Sequence, residues 1–139
     1  MARVVLDAGA ILGAARGSQR ARAAIRVARE HGDDLVVPAV VVAEVVRGNG
    51  PTDVQVDRAL KAVRQVSSTP RKGRVAGQLL TGLSGPSAVD ALVMAEALLA
   101  GGPAVMVTAD AGDMKALLAN AETVDRLRSS AARVTILAV

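Results

Sequence analysis

The stretch Val4-Val5-Leu6-Asp7-Ala8-Gly9-Ala10-Ile11-Leu12 joins three aliphatic residues to a carboxylate and then to a run with helical spacing. Val4 to Leu6 reads as a short buried strand, because an unbroken apolar run offers no polar face to water. From Asp7 and Gly9 onward the spacing becomes that of a helix through Ala10, Ile11 and Leu12. A strand passing directly into a helix opens a βαβ unit. It sets Asp7 at the strand's carboxyl end, the edge of an open α/β sheet where ligands bind.

The same order repeats outward from this stretch. Ser18 is placed to cap a helix through Ala24, Ile25 and Val27 to His31, with Gly32 as its left-handed stop, and Leu35 to Val37 reads as a second strand. Pro38 suits the first turn of a largely buried helix, Ala39 to Val46, which carries Glu44 and is ended by Gly48. Gly48-Asn49-Gly50-Pro51 is a break. Thr52 is placed to cap a helix through Val56, Leu60 and Val63; an extended piece follows near Val66 to Ser68, and Thr69-Pro70 opens a helix toward Leu83, closed by Ser84-Gly85-Pro86. Ser87 begins a helix with Asp90, Val93, Met94 and Leu98 that ends at Gly101-Gly102, before a strand Ala104 to Thr108 with Asp110 just beyond it. A short helix through Met114, Leu117 and Leu118, a polar segment and a last strand Val134 to Val139 complete the order. This alternation predicts an α/β three-layer sandwich, a central mostly parallel sheet flanked by helices, in one domain over residues 1–139.

Composition bounds the chemistry. No Phe, Trp or Tyr is present among the 139 residues, so the core is built from Val, Leu, Ile, Ala and Met, which bury less area per residue than aromatic rings. Oligomerisation would compensate. The absence of Cys excludes disulfides, thiolate nucleophiles and cysteine metal sites. The start lacks the apolar core of a signal peptide, and the longest apolar run, Leu35 to Ala43, is far short of the roughly 20 residues that span a bilayer, so a soluble cytoplasmic protein with no membrane partner is expected. Seventeen Lys and Arg stand against 13 Asp and Glu. If four of those acids share one pocket, the rest of the surface is more basic still and attracts polyanions.

Four acids, Asp7, Glu44, Asp90 and Asp110, sit in otherwise apolar stretches. Three have ordinary explanations: Asp7 and Asp110 as helix N-caps, Asp90 as the partner of Ser87 in a capping box. Asp110 and Asp113 also suit the positive end of a helix dipole. Glu44, in Val40-Val41-Val42-Ala43-Glu44-Val45-Val46, resists that treatment, because an unpaired carboxylate buried there needs a metal, solvent or a partner such as Arg47. Clustered carboxylates repel one another unless cations compensate, and oxygen ligands without Cys favour Mg²⁺ or Mn²⁺ over structural zinc.

Val-Val-Leu-Asp-Ala-Gly-Ala at the start, Val-Val-Ala-Glu-Val-Val-Arg-Gly, Ser-Ala-Val-Asp-Ala-Leu-Val and Val-Thr-Ala-Asp-Ala-Gly-Asp, in this order, resemble the PIN-domain family over nearly the whole chain. The resemblance implies a PIN-like fold and a metal-dependent endoribonuclease hydrolysing RNA phosphodiester bonds. Single-domain members of this size are commonly VapC-like toxins of toxin–antitoxin pairs, which implies a cognate antitoxin and a homodimer. It also implies Asp7, Glu44, Asp90 and Asp110 as catalytic and metal-site acids, with Asp113 as an auxiliary metal residue. Ala8 departs from the Thr or Ser that many members carry after the first Asp, while Thr108 keeps the other hydroxyl. Loss of a hydroxyl behind a ligand loosens its orientation, and the alternative function is therefore an inactive PIN-like scaffold that binds protein or RNA.

Other features carry less. Arg22, Arg26 and Arg29, near Arg16 and Arg20, form either a grip for RNA backbone or a solvated basic face. His31 reads as a helix-terminal cation and Arg71-Lys72-Gly73-Arg74 as a solvated helix face. Phosphatases with an aspartyl nucleophile want Asp-x-Asp after the first strand, and Gly9 stands in the third position.

Overall fold

The computed structural model describes every residue except Asn49, and the expected break at residues 48–51 therefore lies in part outside the described residues. Five strands, β1 (Arg3–Leu6), β2 (Asp34–Pro38), β3 (Arg64–Val66), β4 (Ala104–Thr108) and β5 (Val134–Ala138), form one sheet in the order β3-β2-β1-β4-β5. Every pairing is parallel, so the sheet is wholly rather than mostly parallel. Among the described residues eight helices connect the strands: α1 (Ala8–Ala15), α2 (Gln19–Glu30), α3 (Ala39–Val45), α4 (Asp53–Lys61), α5 (Pro70–Leu79), α6 (Ala88–Leu98), α7 (Ala111–Glu122) and α8 (Asp125–Ala131).

The strand order dictates where the helices lie and where a site can form. From β1 the chain steps outward to β2 and β3, then crosses back over the sheet to β4 and β5. Right-handed crossovers put the helices of opposite steps on opposite faces, which makes three layers. The direction reverses between β1 and β4, and at such a reversal the loops leaving the two carboxyl ends part to leave a crevice. Register places Leu6 beside Val107, so Asp7 and Thr108 follow at the mouth of that crevice.

Local rules set the elements. Ser18 caps α2 through the Ala21 N–H, and Gly32 takes a φ of 71° after it. Thr69 caps α5 through Lys72 N, with Pro70 in the first turn. Thr52 gives no side-chain cap to α4; Asp53 instead accepts the Gly50 N–H at 2.6 Å. The third strand lies earlier than the expected 66–68, because α4 ends at Lys61 and leaves Arg64–Val66 to pair with β2. The polar segment after α7 holds α8, whose Leu127 and Ala131 are buried while Arg126 and Arg128 face solvent. The core is aliphatic as composition requires, with Leu6, Ile11, Leu79, Met94, Met106, Met114 and Leu117 its largest fully enclosed side chains.

At the amino ends of the strands the sheet is tied by charge. Arg3 at the start of β1 reaches Asp34 of β2 at 3.2 Å and Glu96 of α6 at 2.9 Å. Arg64 of β3 meets Asp34 at 2.7 Å, and Lys72 of α5 closes on the other oxygen of Glu96. Hydrogen bonding from Arg64 holds the Asp34 carboxyl below its ordinary range against the opposing effect of burial. Glu96 is only 1% exposed, on a helix apolar nearly all round. Breaking a buried pair leaves the remaining charge uncompensated. Glu96→Ala should lower unfolding stability by about 3 kcal/mol, the low end of that class because Arg3 and Lys72 keep some solvent access; a loss under about 1 kcal/mol in urea titration would contradict the role.

Candidate active site

At the opposite edge, the residues that close β1 and β4 meet. Asp7 ends β1 and caps α1, accepting the Ala10 N–H at 2.7 Å on Oδ1. Its Oδ2 accepts the hydroxyl of Thr108, the last residue of β4. The Thr108 oxygen in turn accepts the Asp110 N–H at 2.8 Å, so one fully buried hydroxyl fixes both strand ends. Gly9 permits this closure: a Cβ there would overlap that of Ala109. The sequence signal for that approach is the small-residue run Ala8-Gly9-Ala10 facing Ala109.

Asp90 and Asp113 complete the edge. Ser87 and Asp90 form the expected capping box, in which Asp90 Oδ2 accepts the Ser87 N–H at 2.8 Å and its hydroxyl at 2.9 Å, while Ser87 Oγ accepts the Asp90 N–H. Asp90 Oδ1 has no bond among the described residues. Asp110 caps α7 by accepting the Asp113 N–H at 3.3 Å. The Gly85 backbone, in the loop leading to α6, lies so near that a Cβ there would stand 2.9 Å from Asp113 Oδ1.

Electrostatics shows that these are neighbours. Burial pushes the Asp7 carboxyl above its ordinary range; hydrogen bonds from Thr108, Ala10 and Ala109 oppose this, and the charge of Asp90 adds to it. Asp113 is raised as well, by desolvation first, then by the adjacent carboxyl and charge of Asp110 and the charge of Asp90. The charges acting on both are carboxylates, with no Lys or Arg among them. Asp90 thus links Asp7 on one side to the Asp110–Asp113 pair on the other.

Glu44 is not among the charges that act on Asp7 or Asp113. It lies about 60° round α3 from the buried Val41, on the flank of the inward stripe, and is exposed. The expectation of a buried Glu44 is therefore corrected: α3 is short and only one side of it is covered, so the valines around Glu44 in sequence do not surround it in space. The alternative partner Arg47 donates to the carbonyls of Ala43 and Val46 instead. The enclosed glutamate is Glu96, which sequence reasoning passed over although the run Ala91 to Leu98 carries the same signal.

The donor set matches a hard divalent cation in kind: oxygen only, mutually repelling, without a balancing base. The side chains stand in their cap positions, and among the described residues no three His, Cys, Asp or Glu side chains converge closely enough to hold a metal ion. No helix is long and apolar enough to cross a membrane among the described residues.

The PIN domain model matches residues 4–117. No curated protein matches the chain. PIN domains are generally nucleases that use divalent metal ions. The match spans β1 through most of α7 and includes Asp7, Asp90, Asp110 and Asp113, and on it the chain belongs to the PIN domain family.

Proposed function

We propose that this protein is a Mg²⁺- or Mn²⁺-dependent endoribonuclease and the toxin of a toxin–antitoxin pair. The observation that carries the nuclease reading is the joint of Asp7 and Thr108 at the reversal of strand order, with the charge of Asp90 acting on Asp7 and those of Asp110 and Asp90 acting on Asp113. Asp7, Asp90 and Asp110 would hold the cation, with Asp113 beside them. A divalent ion there supplies positive charge against the scissile phosphate and lowers the pKa of the attacking water.

The chain's own residues orient the donors. The Thr108 hydroxyl and the Ala10 N–H fix Asp7, Ser87 fixes one oxygen of Asp90 and leaves the other, and the Asp113 N–H holds Asp110. Glu44, exposed on the helix that follows β2 and packs beside α6, takes a proton through water rather than by direct contact. The basic remainder of the surface draws RNA. The toxin role, an antitoxin covering the acids and a homodimer rest on the resemblance to the PIN-domain family, whose single-domain members of this size are commonly VapC-like toxins. An inactive scaffold is the second reading, favoured by Ala8 and by acids that stand as caps.

Wild-type protein should cleave single-stranded RNA with Mn²⁺ and not with excess chelator, and Asp7→Asn and Asp90→Asn should abolish the cleavage. Thr108→Val should cost roughly 10–100-fold in rate, the range for residues that orient a ligand, and Thr108→Ser should recover it. Cleavage by Asp7→Asn at the wild-type rate would remove the basis of the nuclease reading, whereas cation binding without cleavage would favour the scaffold.

A second expectation follows from burial. A carboxyl whose pKa is raised on folding contributes stability that is present below its unfolded value and is lost as pH rises through the folded value, so in chelator the wild type should lose unfolding stability over that rise and Asp7→Asn, which has no charge to bury, should lose less of it. Mn²⁺ should raise the unfolding midpoint only in the wild type. Identical pH profiles for the two proteins would contradict the account.

A further inference from the structure

Away from the acids, α5 and α8 enclose a cleft of about 880 Å³ whose lining includes Arg71, Arg74 and Gln78 of α5, Leu99 beyond α6, and Arg126 and Ser130 of α8. Asp7, Asp90, Asp110 and Asp113 are not among its walls. Three features set it apart. Arg71, Arg74 and Arg126 make no ion pair or hydrogen bond among the described residues, whereas Arg22 and Arg29 on the α2 face donate to the carbonyls of Ala14 and Ala62. No Asp or Glu lines the cleft to balance them. Gln78 Oε1 is buried with no hydrogen-bond partner among the described residues.

A buried acceptor without a donor costs about 1–3 kcal/mol, and guanidinium groups that line one cleft without an acid repel one another and favour an anion between them. One kind of ligand answers both: a phosphate for the arginines, attached to a group whose N–H or O–H meets the Gln78 amide oxygen once that side chain turns toward the cleft. The volume lies within the range of small-molecule sites. Its non-polar walls, Val75, Leu99 and Leu127, suit a sugar or base edge, and with no aromatic residue in the chain a base is held there by its edge rather than by stacking.

We propose that the α5–α8 cleft is a nucleotide-binding site, separate from the acidic edge, with Arg71, Arg74 and Arg126 on the phosphate and Gln78 accepting a hydrogen bond from the base or sugar. The proposal stands on this cleft and not on the nuclease reading.

The test is calorimetry in excess chelator with adenosine 5′-monophosphate, inorganic phosphate and an eight-nucleotide oligoadenylate as separate probes. Wild type and Asp7→Asn should bind adenosine monophosphate alike and more tightly than phosphate. Arg74→Glu with Arg126→Glu should raise its Kd at least tenfold, while the same charge change on α2, Arg20→Glu with Arg26→Glu, should shift it less than twofold. Gln78→Leu, which removes the orphaned acceptor and keeps the helix, should bind the mononucleotide no better than phosphate. Binding of both nucleotide probes marks a site for free nucleotide, and binding of the oligoadenylate alone, with the same variant pattern, marks a seat for one unit of a strand. Equal weakening by both charge-reversal pairs would reduce the effect to diffuse attraction and overturn the proposal. So would undiminished nucleotide binding by Gln78→Leu, or failure of every probe to bind.

Discussion

One buried hydroxyl holds the functional edge of this molecule together. Thr108 donates to Asp7 and accepts from the Asp110 backbone, so the ends of two strands adjacent in the sheet but a hundred residues apart in the chain share a single hydrogen-bonded joint. The joint sits where strand order reverses, between β1 and β4, the one place where loops leaving the carboxyl edge diverge. Without it Asp7 would still cap α1, and only the Ala109 backbone would set its carboxylate relative to the start of α7. The close approach of Gly9 to Ala109 shows how little room the joint leaves.

Charge is divided between the two edges of the sheet. At the amino edge Arg64, Asp34, Arg3, Glu96 and Lys72 alternate in sign and bind three strands to two helices. At the carboxyl edge like charges gather and the carboxyl groups of Asp7 and Asp113 resist ionisation. The first arrangement balances its charges within the chain; the second has no basic partner recorded for its acids among the described residues. Such contrast between local strain and global order is what separates a functional edge from a structural one.

Much of this could be read from the amino acids. The change from a buried run to helical spacing at Asp7 sufficed for the βαβ order, and Ser18, Thr69 and Ser87 announced helix starts that the structure bears out. Capping chemistry is local, so it is legible locally. What failed was burial within helices. Glu44 and Glu96 sit in equally apolar surroundings along the chain, and only the packing of α6 across the sheet, against the half-covered α3, decides which of them is enclosed. The partners of Glu96, Arg3 and Lys72, lie too far away in sequence to suggest themselves. The helix α8 was obscured by its polar face, and the wholly parallel sheet required knowing that β3 starts at Arg64. For the site, Asp90 acts on Asp7, and Asp110 and Asp90 act on Asp113, while Glu44 is exposed on α3.

Asp7, Asp90 and Asp110 stand in helix-cap positions, each with a carboxyl oxygen committed to a backbone N–H, and the proposed cation would draw them together. The most direct measurement is amide NMR of the ¹⁵N-labelled protein titrated with substoichiometric Mn²⁺, whose unpaired electrons broaden nearby signals. The account predicts selective loss of the resonances of residues 7–10, 87–91 and 109–113, with those of α8 and the amino edge retained. Broadening centred elsewhere, or spread evenly over the acidic surface, would contradict it.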